Sequence, residues 1–228
     1  MTTPCFTPAA FTFLRALARH NDRNWFAANK SRYDEHVRQP FLSVIAAMDA
    51  PLAKISPHYR ADPRKVGGSL FRIQRDTRFS NDESPYKTWS GARFFHERGR
   101  DVEAPSFYLH MQPGGCFVGA GLWHPEPPTL RRIRDFIVDN PTAWTVATRA
   151  PAFVRRYDFA GEALARAPRG YDPAHPLIGD LKRKGFSVVA PLDDAEMCSP
   201  RLPNLLASHF KATAPLVDYL CAALDLPF

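Results

Sequence analysis

The sequence contains little cysteine, and the cysteines that it has are not arranged as a site. There are four of them, widely separated, and no two form a Cys-x-x-Cys pair. This spacing argues against a zinc knuckle or a redox pair and favours a reducing compartment. We therefore expect buried, reduced and unpaired thiols at Cys5, Cys116, Cys198 and Cys221.

Long apolar runs and targeting signals are also lacking. No stretch approaches the ~18 consecutive apolar residues that a membrane span requires. The N-terminus has no basic segment of the kind that opens a secretory signal, and Arg15 and Arg19 interrupt the apolar residues that follow. We expect a cytoplasmic protein that does not associate with membranes.

Motifs that would name a reaction are missing as well. The sequence has no Gly-x-Ser-x-Gly, and two glycine pairs match neither a P-loop nor a dinucleotide fingerprint: Gly67-Gly68 and Gly114-Gly115. A metal site would have to combine residues whose spacing fits no metal signature: His96, His110, His124 and Glu126. We predict no metal and no cofactor, and the sequence leaves open whether the protein is an enzyme.

Acidic residues are outnumbered by basic ones. The 228 residues carry a formal net charge of +7, with 45% hydrophobic and 23% charged residues. The last two values are those of an ordinary globular chain, and the length suits one domain with a filled core. The excess of arginine favours anionic partners, although a coding bias towards arginine explains the overall charge equally well.

Hydrophobic periodicity divides the chain into three regions of one α+β domain. Residues 7–55 are predicted to be helical, 69–123 to form the sheet core, and 125–228 to be helical and irregular. Thr7-Pro8 is expected to begin the first helix. A second helix is expected to end at Pro40, and 150–180, rich in proline and glycine, to be irregular.

Four strands are predicted in the central region, at 69–76, 91–96, 105–112 and 116–123. Pro113-Gly114-Gly115 is expected to form a tight hairpin between the last two. The links are too short for parallel crossovers, so the sequence predicts an antiparallel meander packed by the N-terminal and C-terminal helices. A further strand at Phe186–Val189 is expected at the sheet edge.

One face of the predicted sheet is unusual. Alternation places Tyr108 and His110 on a common face, and Gly119 and Gly121 on the next strand lower the floor beside them. Glycine within a strand often marks a place where something approaches the backbone closely. A covering helix and a ligand hollow are both consistent with this pattern.

The segment from Leu70 to Ser90 concentrates positive charge, at Arg72, Arg75, Arg78 and Lys87. Arg75 falls on the otherwise apolar side of the strand, where a guanidinium needs a carboxylate, a carbonyl or a bound anion. The cations either bind a phosphate-type anion or form an ion-pair network with Asp76 and Asp82. In the first case we expect Asp82 and Glu83 to face Arg78, which leaves Arg75 and Lys87 for a ligand.

We therefore expect a small phosphate- or carboxylate-bearing molecule to be bound or acted upon by the cluster and the polar face of the sheet. The candidate ligand-binding residues are Arg72, Arg75, Arg78, Tyr86, Lys87, Tyr108, His110, Trp123 and His124. A nucleic-acid-associated module is the second choice, because basic residues alternate with aromatic ones in this region. A non-catalytic interaction protein is a third alternative, and the oligomeric state stays open.

Several stretches together resemble one family. They are the central run from Leu70 to Thr88, the Gly119–Pro128 and Leu130–Arg134 stretches, Ala167–Pro176, and Leu181–Phe186. The chain resembles domain of unknown function family 2461 over nearly its whole length. The resemblance implies one intact α+β domain and no established activity.

Overall fold

A computed structural model of the protein describes residues 5–76 and 82–228. Helices lie on both sides of the sheet strands in the chain, as the sequence predicts. Those before the sheet are α1 (Pro8–Arg19), α2 (Arg23–Ala28), α3 (Lys30–Tyr33), α4 (Gln39–Ala47) and α5 (Asp49–Ala53). Those after the fourth strand are α6 (Pro127–Asp139), α7 (Pro141–Arg149), α8 (Pro151–Val154), α9 (Ile178–Leu181), α10 (Asp194–Met197) and α11 (Leu202–Ala223).

The first helix begins where the sequence predicts. Thr7 is extended at the N-cap and Pro8 occupies the first turn, where its missing N–H costs no hydrogen bond. One face of α1 is buried, through residues at helical spacing: Ala10, Phe11, Phe13, Leu14 and Leu17. The amphipathic pattern therefore orients this helix correctly.

Pro40 does not end a helix, which corrects the prediction. A π-helical turn at Asp34–Arg38 joins α3 to α4, and Pro40 lies in the first turn of α4. The Gln39 N–H bonds to the Asp34 carbonyl, five residues back. The wider turn changes the hydrogen-bond register just before the proline, so the helical path continues through a residue without an N–H.

The sheet is antiparallel throughout, which confirms the predicted α+β class. Within the described residues it has six strands in the order β1-β2-β3-β4-β6-β5. Their bounds are β1 (Tyr59–Arg60), β2 (Ser90–His96), β3 (Ser106–Met111), β4 (Cys116–Leu122), β5 (Asp158–Phe159) and β6 (Phe186–Leu192).

The last strands extend the sheet beyond the predicted 69–123 core. β6 pairs with β4 along seven residue pairs and with β5 on its other side, so it is an inner strand and the predicted edge position was wrong. β5 lies within 150–180, which also contains the short helices α8 and α9. A two-residue strand in a Pro/Gly-rich segment has no periodicity of its own, and pairing with β6 is what forms it.

The predicted strand at 69–76 is not a regular strand. Leu70 bridges to Ala92 and Gln74 bridges to Tyr86, so the segment lies antiparallel to the chain before and within β2. The Phe71 N–H donates to the Gly91 carbonyl over 3.0 Å and the Lys87 N–H to the Ile73 carbonyl over 2.8 Å. These bonds hold residues 70–74 against residues 86–92, which lead into β2.

The two faces of the sheet have different environments. On the core face, Phe94 and Phe107 are fully buried against Phe210 of α11, with ring centroids 5.1 and 4.8 Å apart. On the other face, which we call the outer face, side chains remain partly exposed: Arg93, Phe95, Ser106, Tyr108, Phe117 and Val189. This one-sided burial is typical of an antiparallel sheet.

Two further properties concern the chain as a whole. All four cysteines are free thiols. Across residues 5–76 and 82–228, none of the helices has both the length and the apolar character that crossing a bilayer requires.

Candidate anion-binding site on the outer face

Arg75 has a carboxylate partner in the structure. Its guanidinium forms an ion pair with Asp82, which also accepts hydrogen bonds from the Ser84 hydroxyl and, over 2.9 Å, from the Ser84 N–H. The bonds from Ser84, followed by that from Arg75, lower the pKa of Asp82 to about 2. Asp82 was expected to face Arg78, which lies outside the described residues. Its pairing with Arg75 is what the ion-pair interpretation predicts for that arginine.

Lys87 is fixed by the backbone of the same segment. Its ammonium donates to the carbonyls of Arg72 and Gln74, over 2.6 and 3.0 Å. Burial, followed by the positive charges of Arg72 and Arg75, lowers the pKa of Lys87. An ammonium has three donors, so these two bonds leave one N–H without an acceptor among the described residues.

Arg72 has the fewest contacts of the three cations that the structure describes in this segment. Its side chain is exposed. It makes no hydrogen bond or ion pair with any residue in the described ranges. Arg72 is close enough to Lys87 to lower that residue's pKa. The pair thus presents two neighbouring cations with donors to spare, which is the arrangement that a phosphate or carboxylate neutralises.

An aromatic wall stands beside these cations. The Lys87 ammonium lies 5.5 Å from the centre of the Trp89 ring, and the Trp89 ring centre lies 4.9 Å from that of His110. His110 in turn stacks on Phe117, with centroids 4.5 Å apart. Phe71 closes the other side through contacts with Trp89 and Tyr108.

Tyr108 and His110 form a hydrogen-bonded chain. The Tyr108 hydroxyl donates to Nδ1 of His110 over 3.0 Å, and Nε2 of His110 donates to Oε1 of Gln112 over 3.2 Å. Burial lowers the pKa of His110, only partly offset by Gln112, and it raises the pKa of Tyr108. The imidazole is therefore neutral, with both nitrogens occupied. His110 packs between the rings of Trp89 and Phe117. It has no free nitrogen to act as a base in this arrangement.

Gly91 makes room for this chain. A Cβ atom at Gly91 would stand 2.4 Å from the Tyr108 hydroxyl oxygen. Only a residue without a side chain lets the hydroxyl lie over β2 and reach His110. Of the two glycines singled out in the sequence, Gly119 pairs with Tyr108 and Gly121 with Ser106. The group that approaches both glycines is the backbone of β6, since a Cβ at Gly119 or Gly121 would lie 3.2 Å from the Val188 carbonyl oxygen or 2.1 Å from that of Phe186.

Three candidate residues lie elsewhere. Tyr86 is buried against Phe26, with centroids 4.1 Å apart, and its backbone N–H and carbonyl both bond the Asn21 side chain. Trp123 and His124 follow β4, at the opposite end of the outer face from Lys87. Their rings contact each other at 4.6 Å. Of the candidates within the described residues, the structure therefore brings together Arg72, Arg75, Lys87, Tyr108 and His110.

The sequence interpretation missed Trp89 and Gln112 as members of the site. The sequence did contain the information for Trp89. Positions 87, 89 and 91 are two residues apart, so in an extended chain their side chains lie on the same side. Gln112 likewise shares the parity of Tyr108 and His110. In the structure Trp89 is half-buried on the outer face.

The comparisons with known proteins give a family and no activity. The family model of conserved hypothetical proteins, DUF2461, matches residues 9–219. The chain belongs to the DUF2461 family. No curated protein and no solved structure gives a significant match. Chemistry must therefore be argued from the site itself.

The site offers no ready metal ligands. Within the described part of the chain, no group of three or more His, Cys, Asp or Glu side chains is placed to hold a metal ion. What the arrangement provides is cationic donors, one of which lies over an aromatic ring.

Proposed function

We propose that this protein binds a small phosphate- or carboxylate-bearing molecule on the outer face of its sheet. Arg72 and Lys87 contact the anion, and Trp89 forms the wall beside it. The observation that carries the proposal is the Lys87 ammonium. It is held by two carbonyls over the Trp89 ring and retains one donor next to the side chain of Arg72.

Electrostatics support an anion at this place. A partly buried ammonium beside two guanidinium groups costs free energy, because desolvation and like charges both oppose the charged form. Asp82 forms an ion pair with one of these guanidinium groups, that of Arg75. An anion held between Arg72 and Lys87 would offset the remaining repulsion. The fixed position of Lys87 also reduces the conformational entropy lost on binding.

The geometry favours binding over catalysis. His110 is a histidine in the aromatic wall, but it is 8% exposed and both of its nitrogens are hydrogen-bonded. A general base needs a free nitrogen within reach of the substrate proton. We therefore propose a binding function for this site and assign no reaction to it.

The test is stabilisation of the protein by anions. Melting temperatures are measured in increasing inorganic phosphate or citrate, with sodium chloride at matched ionic strength. A ligand at about 100 times its Kd adds about 2.7 kcal/mol to the free energy of unfolding. We expect saturable stabilisation of the parent that is lost in Arg72→Met and Lys87→Met.

Matched controls separate this from general salt effects. Arg155 and Lys65 are exposed and have no side-chain partner among the described residues. Arg155→Met and Lys65→Met should respond to phosphate as the parent does. Equal stabilisation of all five proteins would refute the proposed site, since excluded anions such as phosphate stabilise proteins non-specifically.

Single-stranded nucleic acid is the second candidate ligand. The observation in its favour is that Trp89 and Phe117 are partly exposed on an antiparallel sheet face flanked by Arg72, Lys87 and Arg93. Successive bases can stack on such a surface while cations follow the backbone. A steep, linear fall of log affinity with log salt, measured with a labelled oligonucleotide, would favour this candidate.

A further inference from the structure

We propose a second binding site at the opposite end of the outer face, for an aromatic ring that carries a phosphate or carboxylate group. Its guanidinium contact is Arg93 and its ring contact is Trp123. This site goes beyond the proposed function, because it uses neither Arg72 nor Lys87. It follows from a groove of about 410 Å³ that both residues line.

The floor of the groove follows from the strand register. Phe95 of β2 lies opposite Ser106 of β3, and Ser106 lies opposite Gly121 of β4. These three residues form one row across the outer face. The row combines an aromatic ring, a hydroxyl group and a residue without a side chain. Within residues 5–76 and 82–228 the Ser106 hydroxyl has no hydrogen-bond partner, so it remains available to a ligand.

Arg93 is the cation of the groove. In the described ranges its guanidinium has no ion pair and no hydrogen bond. Desolvation by the surrounding protein lowers its pKa. Its side chain nevertheless reaches solvent, and the planar fork of a guanidinium suits phosphate and carboxylate alike.

Trp123 provides the aromatic surface. It is 58% exposed, which is unusual for the largest apolar side chain. One edge of its ring lies near Gly161, where a Cβ atom would come within 3.6 Å. The His124 ring contacts the indole edge-to-face at 4.6 Å, and the indole stays largely open to solvent. An exposed indole face is the surface on which a planar ligand ring stacks.

Charged side chains of both signs line the groove. Arg93 and Trp123 are offset along the strands as well as across them, because Arg93 is level with Gly119, four residues before Trp123. Two acidic residues also line the groove, Asp101 and Glu103. The Glu103 carboxylate is occupied by the Glu126 N–H, at 3.1 Å from each oxygen. Arg100, whose guanidinium donates to the Gly67 carbonyl, adds a second cation.

The four tryptophans allow the site to be tested directly. The experiment observes the four indole N–H signals by NMR in the full-length protein, those of Trp25, Trp89, Trp123 and Trp144. The signal that is missing from the spectrum of Trp123→Phe is that of Trp123. The probes are phenyl phosphate and phenylacetate, with inorganic phosphate and phenol as the anion alone and the ring alone. We expect phenyl phosphate, phenylacetate or both to move the Trp123 signal saturably, at concentrations at least tenfold below those of phosphate or phenol.

Variants assign the contacts. Arg93→Met keeps much of the side-chain volume and should weaken probe binding about tenfold or more, the loss expected for a charged hydrogen bond. Arg93→Lys should recover part of it, and Arg155→Met, at an exposed arginine outside the groove, should bind as the parent does. The proposal is overturned if neither phenyl phosphate nor phenylacetate moves the Trp123 signal. It is also overturned if phenol binds as tightly as these probes, or if folded Arg93→Met binds them as tightly as the parent.

The outcome is separate from that of the first site. Anions at Arg72 and Lys87 would move the Trp89 signal, because Trp89 contacts Lys87. Movement of Trp123 without Trp89 supports only the groove, and the reverse pattern supports only the proposed function.

Discussion

Lys87 and Trp89 lie two residues apart, and the ammonium of the first is 5.5 Å from the centre of the second's ring. Residues at this spacing share one side of an extended chain. The same ammonium bonds the carbonyls of Arg72 and Gln74. Lys87 therefore connects the backbone of residues 72–74 to the aromatic wall, and these contacts fix the position of its ammonium group.

Replacement of Arg75 by Met tests whether this arginine is structural. One partner, Asp82, is largely exposed, with 57% of its side chain accessible, and exposed ion pairs contribute between 0 and about 1 kcal/mol. From the loss of this ion pair we expect a decrease of about 1 kcal/mol or less in the free energy of unfolding in urea, with stabilisation by phosphate retained. Loss of the phosphate response in Arg75→Met, with its folding intact, would instead place Arg75 in the binding site.

Replacement of Gly91 by Ala tests the close approach of Tyr108. The new Cβ would lie 2.4 Å from the Tyr108 hydroxyl oxygen and 3.0 Å from the Leu109 carbonyl oxygen. Overpacking of this kind costs about 1–3 kcal/mol. We expect that destabilisation in urea unfolding, and a smaller one in the Tyr108→Phe background, where the hydroxyl is absent. If Gly91→Ala lowers the free energy of unfolding equally in the two backgrounds, the Tyr108 hydroxyl is not the group that clashes with the new Cβ.

His209 should make stability depend on pH. It is 3% exposed, accepts a hydrogen bond from the Arg156 guanidinium at 2.8 Å, and bonds the Tyr157 hydroxyl at 2.9 Å. Burial, followed by the charge of Arg156, lowers the pKa of His209 to about 4. Between pH 4 and an ordinary histidine pKa of about 6.5, the unfolded chain binds a proton that the native state does not. Stability contributed by the neutral imidazole is therefore present above pH 6.5 and is lost as pH falls towards 4.

The measurement compares the parent with His209→Gln by urea unfolding at several pH values. Glutamine can still accept the hydrogen bond from Arg156 but does not titrate. We expect the free energy of unfolding to fall less steeply in the variant than in the parent between pH 6.5 and 4, since the carboxylates contribute equally to both proteins. Parallel curves would rule out His209 as a source of the pH dependence.

Elements with strong local signals were predictable from the sequence. Thr7-Pro8 begins α1 because proline suits a first helical turn. Pro113-Gly114-Gly115 connects β3 and β4 because the hairpin needs glycine, and Gly114 has a φ of +72°. The antiparallel sheet follows from links too short for crossovers. Alternation also placed Tyr108 and His110 on one face, where the structure has them.

Partners distant in the chain were decided only by the tertiary structure. The local pattern of Phe186–Leu192 shows a strand but not its neighbours, and long-range pairing with β4 makes it an inner strand. The charges of Arg75, Arg78, Asp76 and Asp82 allow several pairings, and only the folded backbone selects Arg75 with Asp82. Exposure was equally undetermined for Trp89 and Trp123. An aromatic residue reads the same in sequence whether it fills the core or lines a sheet face that other elements leave open.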